Sequence, residues 1–143
     1  MGEVTCEILI EADPSTVYEL LTDTGLAHHW FGSEVELDPR PGGIYKVLAG
    51  ATHPALGEFV EVVPDQKVKF TFGWDEPNHP IPAGSTMVEI TLVPEGERTR
   101  VRLVHSGLPD DAVRDHTNGW HHYLGRLQVL GAGGDPGPDV MPS

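Results

Sequence analysis

His105 closes the alternating stripe Val101, Leu103, His105, and an imidazole at the inner end of a strand can hydrogen-bond a ligand or carry a proton near neutral pH. The same position suits a histidine that only caps the Gly107-Leu108 turn, or the start of the following helix, through a backbone hydrogen bond. For acid–base work it needs a partner, and Glu58 and Tyr123 are the candidates. Glu58 faces inward in only one of two registers, because Glu58, Val60 and Val62 compete with Phe59 and Val63 for one face.

The other chemistry-bearing residues point away from metals and cofactors. Eight histidines include the groups His28-His29 and His116, His121, His122. Neighbours on a helix project about 100° apart, and His116 and His121 are not an i, i+4 pair. With one cysteine and no HExxH motif, no metal is expected. No serine stands in a strand–turn–helix elbow, and no phosphate loop or dinucleotide fingerprint appears. No cofactor and no catalytic residue is assigned on these grounds. Cys6 lies in the stripe Val4, Cys6, Ile8, Ile10 and reads as core.

Composition narrows the partners. Nine basic residues against 22 acidic ones give a formal charge of −13, which repels nucleic acid and anionic membranes alike. Lys67, Lys69, Arg100 and Arg102 fall on the outer face of ordinary strands. A single cysteine, no basic start followed by an apolar run and no long apolar stretch make the cytoplasm the expected compartment.

The elements that must position these residues follow from periodicity. Residues 3–11 alternate with a period of two, so a strand is expected there. Asp13-Pro14 then supplies an N-cap and a first-turn proline for a short helix to about Asp23, and a second short turn carries Leu26 to Phe31. A hairpin follows around Pro39-Arg40-Pro41-Gly42-Gly43, and then strands over 58–63, 68–74, 86–93 and 101–105. The proline-rich segment 76–82 is expected as a surface loop at the mouth of the sheet. From about Asp110 to Leu130, His116, Trp120, Tyr123, Leu127 and Leu130 recur at helical spacing, predicting a long amphipathic helix. The sequence reads as one domain over 1–131 and a disordered Gly/Pro/Asp tail over 132–143. Strands without crossover helices imply an antiparallel α+β arrangement.

The ordered landmarks carry a resemblance. Glu11-Ala12-Asp13-Pro14, Val17-Tyr18, Leu20-Leu21-Thr22-Asp23 and Trp30 resemble the opening of START-like (SRPBCC) domains, in the branch named for the activator of heat-shock protein 90 ATPase. The likeness continues through Asp38-Pro39-Arg40-Pro41-Gly42-Gly43, Gly57-Glu58-Phe59, Val63-Pro64, Phe72-Gly73-Trp74, His105-Ser106-Gly107-Leu108 and Gly119-Trp120 with Leu124 and Leu127, covering roughly residues 3–130. It implies a helix-grip fold, a seven-stranded curved antiparallel sheet wrapped around the C-terminal helix, with two short helices between strands one and two. It also implies a cavity between sheet and helix that in relatives holds apolar molecules. Chaperone activation is not expected from it, because the eukaryotic activator carries an additional N-terminal domain for which this chain has no room.

Three functional readings follow. In the first, the protein binds a small apolar or aromatic molecule, with Trp30, Phe70, Phe72, Trp74, Val88, Ile90, Leu103, His105, Trp120 and Tyr123 as the expected contacts. In the second, His105 serves as general acid/base of a cyclase, dehydratase or hydrolase, assisted by Glu58 or Tyr123. In the third, the chain is a protein-interaction module of the chaperone-regulator kind, which requires an exposed apolar patch. Homodimerisation through a strand edge is open in all three. Large inward aromatics can fill the space under the helix as readily as line it.

Overall fold

In the computed structural model, which describes residues 2–31, 34–49 and 53–137, the alternating N-terminal run forms β1 (Gly2–Ile10), with Val4, Cys6 and Ile10 buried. Asp13 then caps α1 (Pro14–Thr22), its carboxylate accepting from the Thr16 N–H at 2.9 Å. Asp23 repeats the device for α2 (Thr24–Ala27), accepting from the Leu26 N–H. These caps satisfy amide protons that the first helical turn leaves without partners.

Six strands follow: β2 (Glu34–Leu37), β3 (Ile44–Ala49), β4 (His53–Val63), β5 (Lys67–Phe72), β6 (Thr86–Glu95) and β7 (Arg98–Leu108). A short 3-10 turn, Asp110–Ala112, leads into α3 (Val113–Gly131). The strands make one antiparallel sheet in the order β1-β7-β6-β5-β4-β3-β2. The buried face of α3, with Trp120, Tyr123, Leu124 and Leu127, packs into one core with Phe59, Val68, Phe70, Val88, Ile90 and Leu103 of the sheet. The helix-grip architecture expected from the sequence is present.

Two departures bear on function. The fourth strand begins at His53 rather than at Glu58. Pro54 and Gly57 hide its first half from pattern reading, yet Gly57 is required there, since a Cβ would lie 1.8 Å from the Thr71 carbonyl oxygen. The register conflict around Glu58 is resolved by a bulge. Phe59 pairs with Phe70 and Glu61 with Lys69, so Val60 is extra. That insertion lets both Phe59 and Val62 pack toward the core while Glu58 and Val60 face solvent.

Two basic residues of the outer face are paired with carboxylates. Lys67 pairs with Glu61 at 2.7 Å, and Arg100 bonds both Glu95 and Glu7. Among the described residues no helix is long and apolar enough to cross a membrane. Of the segment expected as a tail, 138–143 lies outside the described residues. Before it, the buried Arg126 of α3 donates to Pro136 O at 3.2 Å and Gly137 O at 2.9 Å, and to Trp30 O and His29 O on the other side. Residues 136 and 137 are thus held against the domain, and the grip extends past Gly131.

Replacing Gly57 by Ala should lower unfolding free energy by about 2 kcal/mol or more, because the methyl group must displace backbone. In Gly125→Ala, where a Cβ meets nothing within 4 Å, helix propensity should instead add about 0.5–1 kcal/mol. Urea denaturation of the two variants tests both signs.

Candidate functional site

Helical spacing places His116, Gly119, Trp120 and Tyr123 on the face of α3 that looks toward the ends of β4 and β5. Phe72 at the end of β5 and Trp74 two residues beyond it border the same space. Ala55, from the half of β4 that the sequence concealed, faces Trp74 across an isolated bridge, and Phe31 enters from the turn after α2. Together these residues line a cavity of about 300 Å³, at the small end of ordinary ligand cavities. Half-buried Glu76 and His79 and exposed Asp115 stand among its lining residues. A broader groove of about 840 Å³ beside the start of α1 is lined by polar side chains such as Asp13, Gln66 and Lys67 together with apolar ones such as Val63, Leu92 and Val93.

The wall behind the cavity is a hydrogen-bonded relay. Trp120 Nε1–H donates to His105 Nδ1 at 2.9 Å. An indole nitrogen only donates, so Nδ1 is the acceptor and the neutral ring carries its proton on Nε2. That proton goes to Thr86 Oγ1 at 2.8 Å, and Thr86 in turn donates to the Phe72 carbonyl at 2.6 Å. A second pair stands beside it. Trp74 Nε1–H donates to His116 Nε2 at 3.1 Å, and His116 Nδ1–H donates to Ala112 O at 2.9 Å. The two imidazoles lie edge to face with centroids 5.5 Å apart.

Both rings are held neutral. Burial pushes His105 down to about 3, with the neighbouring His116 adding to the effect. Burial also lowers His116, against the opposing pull of the Ala112 carbonyl and Asp115. His105 therefore does not suit the acid–base role considered from sequence: it is fully buried, both nitrogens are engaged, and it lies one layer behind the cavity wall. Glu58 is solvent-exposed and does not join it.

The ten expected contacts divide into three groups. Phe72, Trp74, Trp120 and Tyr123 line the cavity. Trp30, Phe70 and Ile90 surround a separate residual void of about 10 Å³, deeper in the core. Val88, Leu103 and His105 are fully buried and border neither space. Trp30 is a structural anchor, its Nε1–H donating to Leu20 O at 2.7 Å. The expectation erred by treating the whole inward face as wall, whereas close packing fills most of it. Phe31, Ala55, Glu76, His79, Asp115, His116 and Gly119 were not in that set. The helix periodicity that selects Trp120 and Tyr123 also selects His116 and Gly119, and so could have found them.

Comparisons with known proteins agree with the fold. The family model described as "Activator of Hsp90 ATPase homolog 1-like protein" matches residues 11–132. The solution structure of an AHSA1-like protein from Rhizobium etli is 42% identical, with the match covering 99% of this chain and 89% of that one at a TM-score of 0.75. DynU16, from the dynemicin biosynthetic locus, shares 24% identity and a TM-score of 0.80 over 95% of this chain, which spans 49% of DynU16's length. The Aha1 dimer from Colwellia psychrerythraea shares 19% identity, 92% and 97% coverage and a TM-score of 0.79. No curated protein matches.

The buried imidazoles fix a pH signature. His105 has its pKa near 3 in the folded protein against 6.5 as the ordinary value, so below pH 6.5 the unfolded chain takes up a proton that the native one refuses. The stabilisation is complete above 6.5 and is lost as pH falls toward 3, by about 2 kcal/mol at pH 5 from His105 alone. His116 acts in the same direction. The lowered carboxylates Asp13, Glu61 and Glu95 act only at lower pH. Urea midpoints should therefore drop between pH 7 and 5, while long-range ¹H–¹⁵N spectra at pH 6 report His105 as the Nε2–H tautomer and His116 as the Nδ1–H tautomer.

Proposed function

The chain belongs to the activator of Hsp90 ATPase homolog 1-like family, and from that premise we propose that it binds a small apolar or aromatic molecule in the cavity between sheet and α3. The observation that carries this reading is a cavity of about 300 Å³ walled by Phe31, Phe72, Trp74, Trp120 and Tyr123. Rings supply large apolar area and face or edge contacts, which suits an aromatic guest. The hydrogen-bonding nitrogens of Trp74, Trp120 and His116 are engaged with one another, with His105 or with the backbone. Recognition at these walls therefore rests on shape and apolar contact.

An enzymatic reading finds less support. A proton shuttle needs a group that reaches the substrate and titrates near the working pH, and His105 meets neither condition. The interaction-module reading is likewise weaker, since the exposed large apolar side chains Leu26, Val60, Val93 and Val129 sit on four different elements. Self-association through the edge of β1 or β2 is compatible with ligand binding, and the Colwellia relative is a dimer.

Gly119 offers a clean test, because a Cβ there meets nothing within 4 Å and the residue lines the cavity. The neutral fluorophore N-phenyl-1-naphthylamine should brighten and blue-shift with the wild-type protein. Gly119→Leu should fill the cavity, keep or raise the melting temperature, and weaken that binding about tenfold or more, since a displaced aromatic guest forfeits its buried contacts. Equal binding by the folded variant would exclude this cavity as the site.

A further inference from the structure

One polar group near the cavity has no visible occupation. Tyr45 of β3 is 3% exposed, and its hydroxyl is the single buried side-chain polar atom without a hydrogen-bond partner among the described residues. Native proteins satisfy nearly all such groups, so each exception calls for a specific explanation. The ring itself is firmly seated, stacked on Phe70 with centroids 3.9 Å apart and an interplanar angle of 13°. Removing the hydroxyl would leave that packing untouched.

Its position relates it to the cavity. Tyr45 lies 6.3 Å from Phe31 and 6.4 Å from Phe72, centroid to centroid, and Phe31 lies 4.8 Å from Tyr123. Phe31, Phe72 and Tyr123 are cavity wall, so Tyr45 stands one ring layer further in. Phe31 also borders, together with Tyr45, the inner void of about 10 Å³. That void is at or below the roughly 10–15 Å³ a water molecule needs. Phe31 is thus the ring that borders both the cavity and the void beside the unpartnered Tyr45 phenol. Burial raises the phenol's pKa well above the usual tyrosine value, so it stays a donor at any physiological pH.

We propose that the Tyr45 hydroxyl is the polar recognition group of this cavity: a flat aromatic molecule bearing a hydroxyl or carbonyl oxygen turns the Phe31 ring aside and accepts the Tyr45 hydrogen bond. The inference rests on the binding function proposed above and adds to it the ligand's polar atom and the residue that selects it. Orientation follows, with the ligand's oxygen innermost and its bare ring edge toward Glu76, His79 and Asp115. Phe31 becomes the element that must move for the site to be completed.

The test compares 2-naphthol with 2-methylnaphthalene, which match in shape and differ by hydroxyl against methyl, on wild type and Tyr45→Phe. In the free protein the substitution should leave the melting temperature unchanged or raise it, since it deletes an unpaired hydroxyl. On binding, Tyr45→Phe should weaken 2-naphthol about fivefold or more while leaving 2-methylnaphthalene within about twofold, the size expected of one hydrogen bond. Phe31→Leu should strengthen 2-naphthol binding in the wild-type background and not in Tyr45→Phe. If both probes bind and the substitution at Tyr45 leaves their affinity ratio unchanged, the hydroxyl has no recognition role and this inference alone is overturned. If neither probe binds the wild-type protein, the cavity is not an aromatic-binding site and the proposed function falls with it.

Discussion

The bond from Trp120 Nε1–H to His105 Nδ1 is the contact on which the site depends. It couples the long helix to β7, and through Thr86 and the Phe72 carbonyl it reaches β6 and β5. Each member of this relay is buried and each has its partner, so removing one leaves another unsatisfied in a medium that cannot hydrate it. The Trp74–His116 bond and the bonds of Arg126 to Trp30 O and of Gln128 to Leu9 O hold α3 at other points along its length. The relay sets its height and rotation above the sheet, and that setting decides that Gly119 and Tyr123 face a space rather than a packed wall.

The same arrangement accounts for the chemical character of the cavity. A histidine pair beside a cavity suggests catalysis until the protons are placed. Once Trp74 and Trp120 are assigned as donors, each imidazole has one nitrogen accepting and the other donating, and neither is left for a substrate. Burial disfavours charge on both imidazoles, while the half-buried Glu76 and the exposed Asp115 place carboxylates among the lining residues. The inner part of the cavity is walled by rings, with one phenol behind it that is unpartnered among the described residues. These features support the binding reading proposed above.

Much of this was legible in the sequence, for physical reasons. Period-two alternation and the spacing of Trp120, Tyr123, Leu127 and Leu130 reflect faces that must be buried, so strands, helix and grip could be read directly. The first half of β4 could not, because Pro54 and Gly57 carry the signature of a turn, although Gly57 is there to fit the Thr71 backbone. Nor could the bulge at Val60, which reconciles two competing stripes only through pairing with β5. The site was legible in part. Facing inward is a property of pattern, but lining a cavity is a property of packing, and packing consumed Val88, Leu103 and His105 while leaving space at Phe72, Trp74 and Gly119. Tyr45 gave no signal, since an unpaired hydroxyl is visible only when every potential partner has been located.

The central claim is that an aromatic molecule occupies the space beneath α3. Intermolecular nuclear Overhauser effects with bound N-phenyl-1-naphthylamine test it most directly. The account predicts cross-peaks from the probe to the indoles of Trp74 and Trp120, the Tyr123 ring and the Ala55 methyl group, all from residues that line one cavity. Cross-peaks confined to the groove beside α1, at Pro14, Val63 and Leu92, with none to those four, would contradict it.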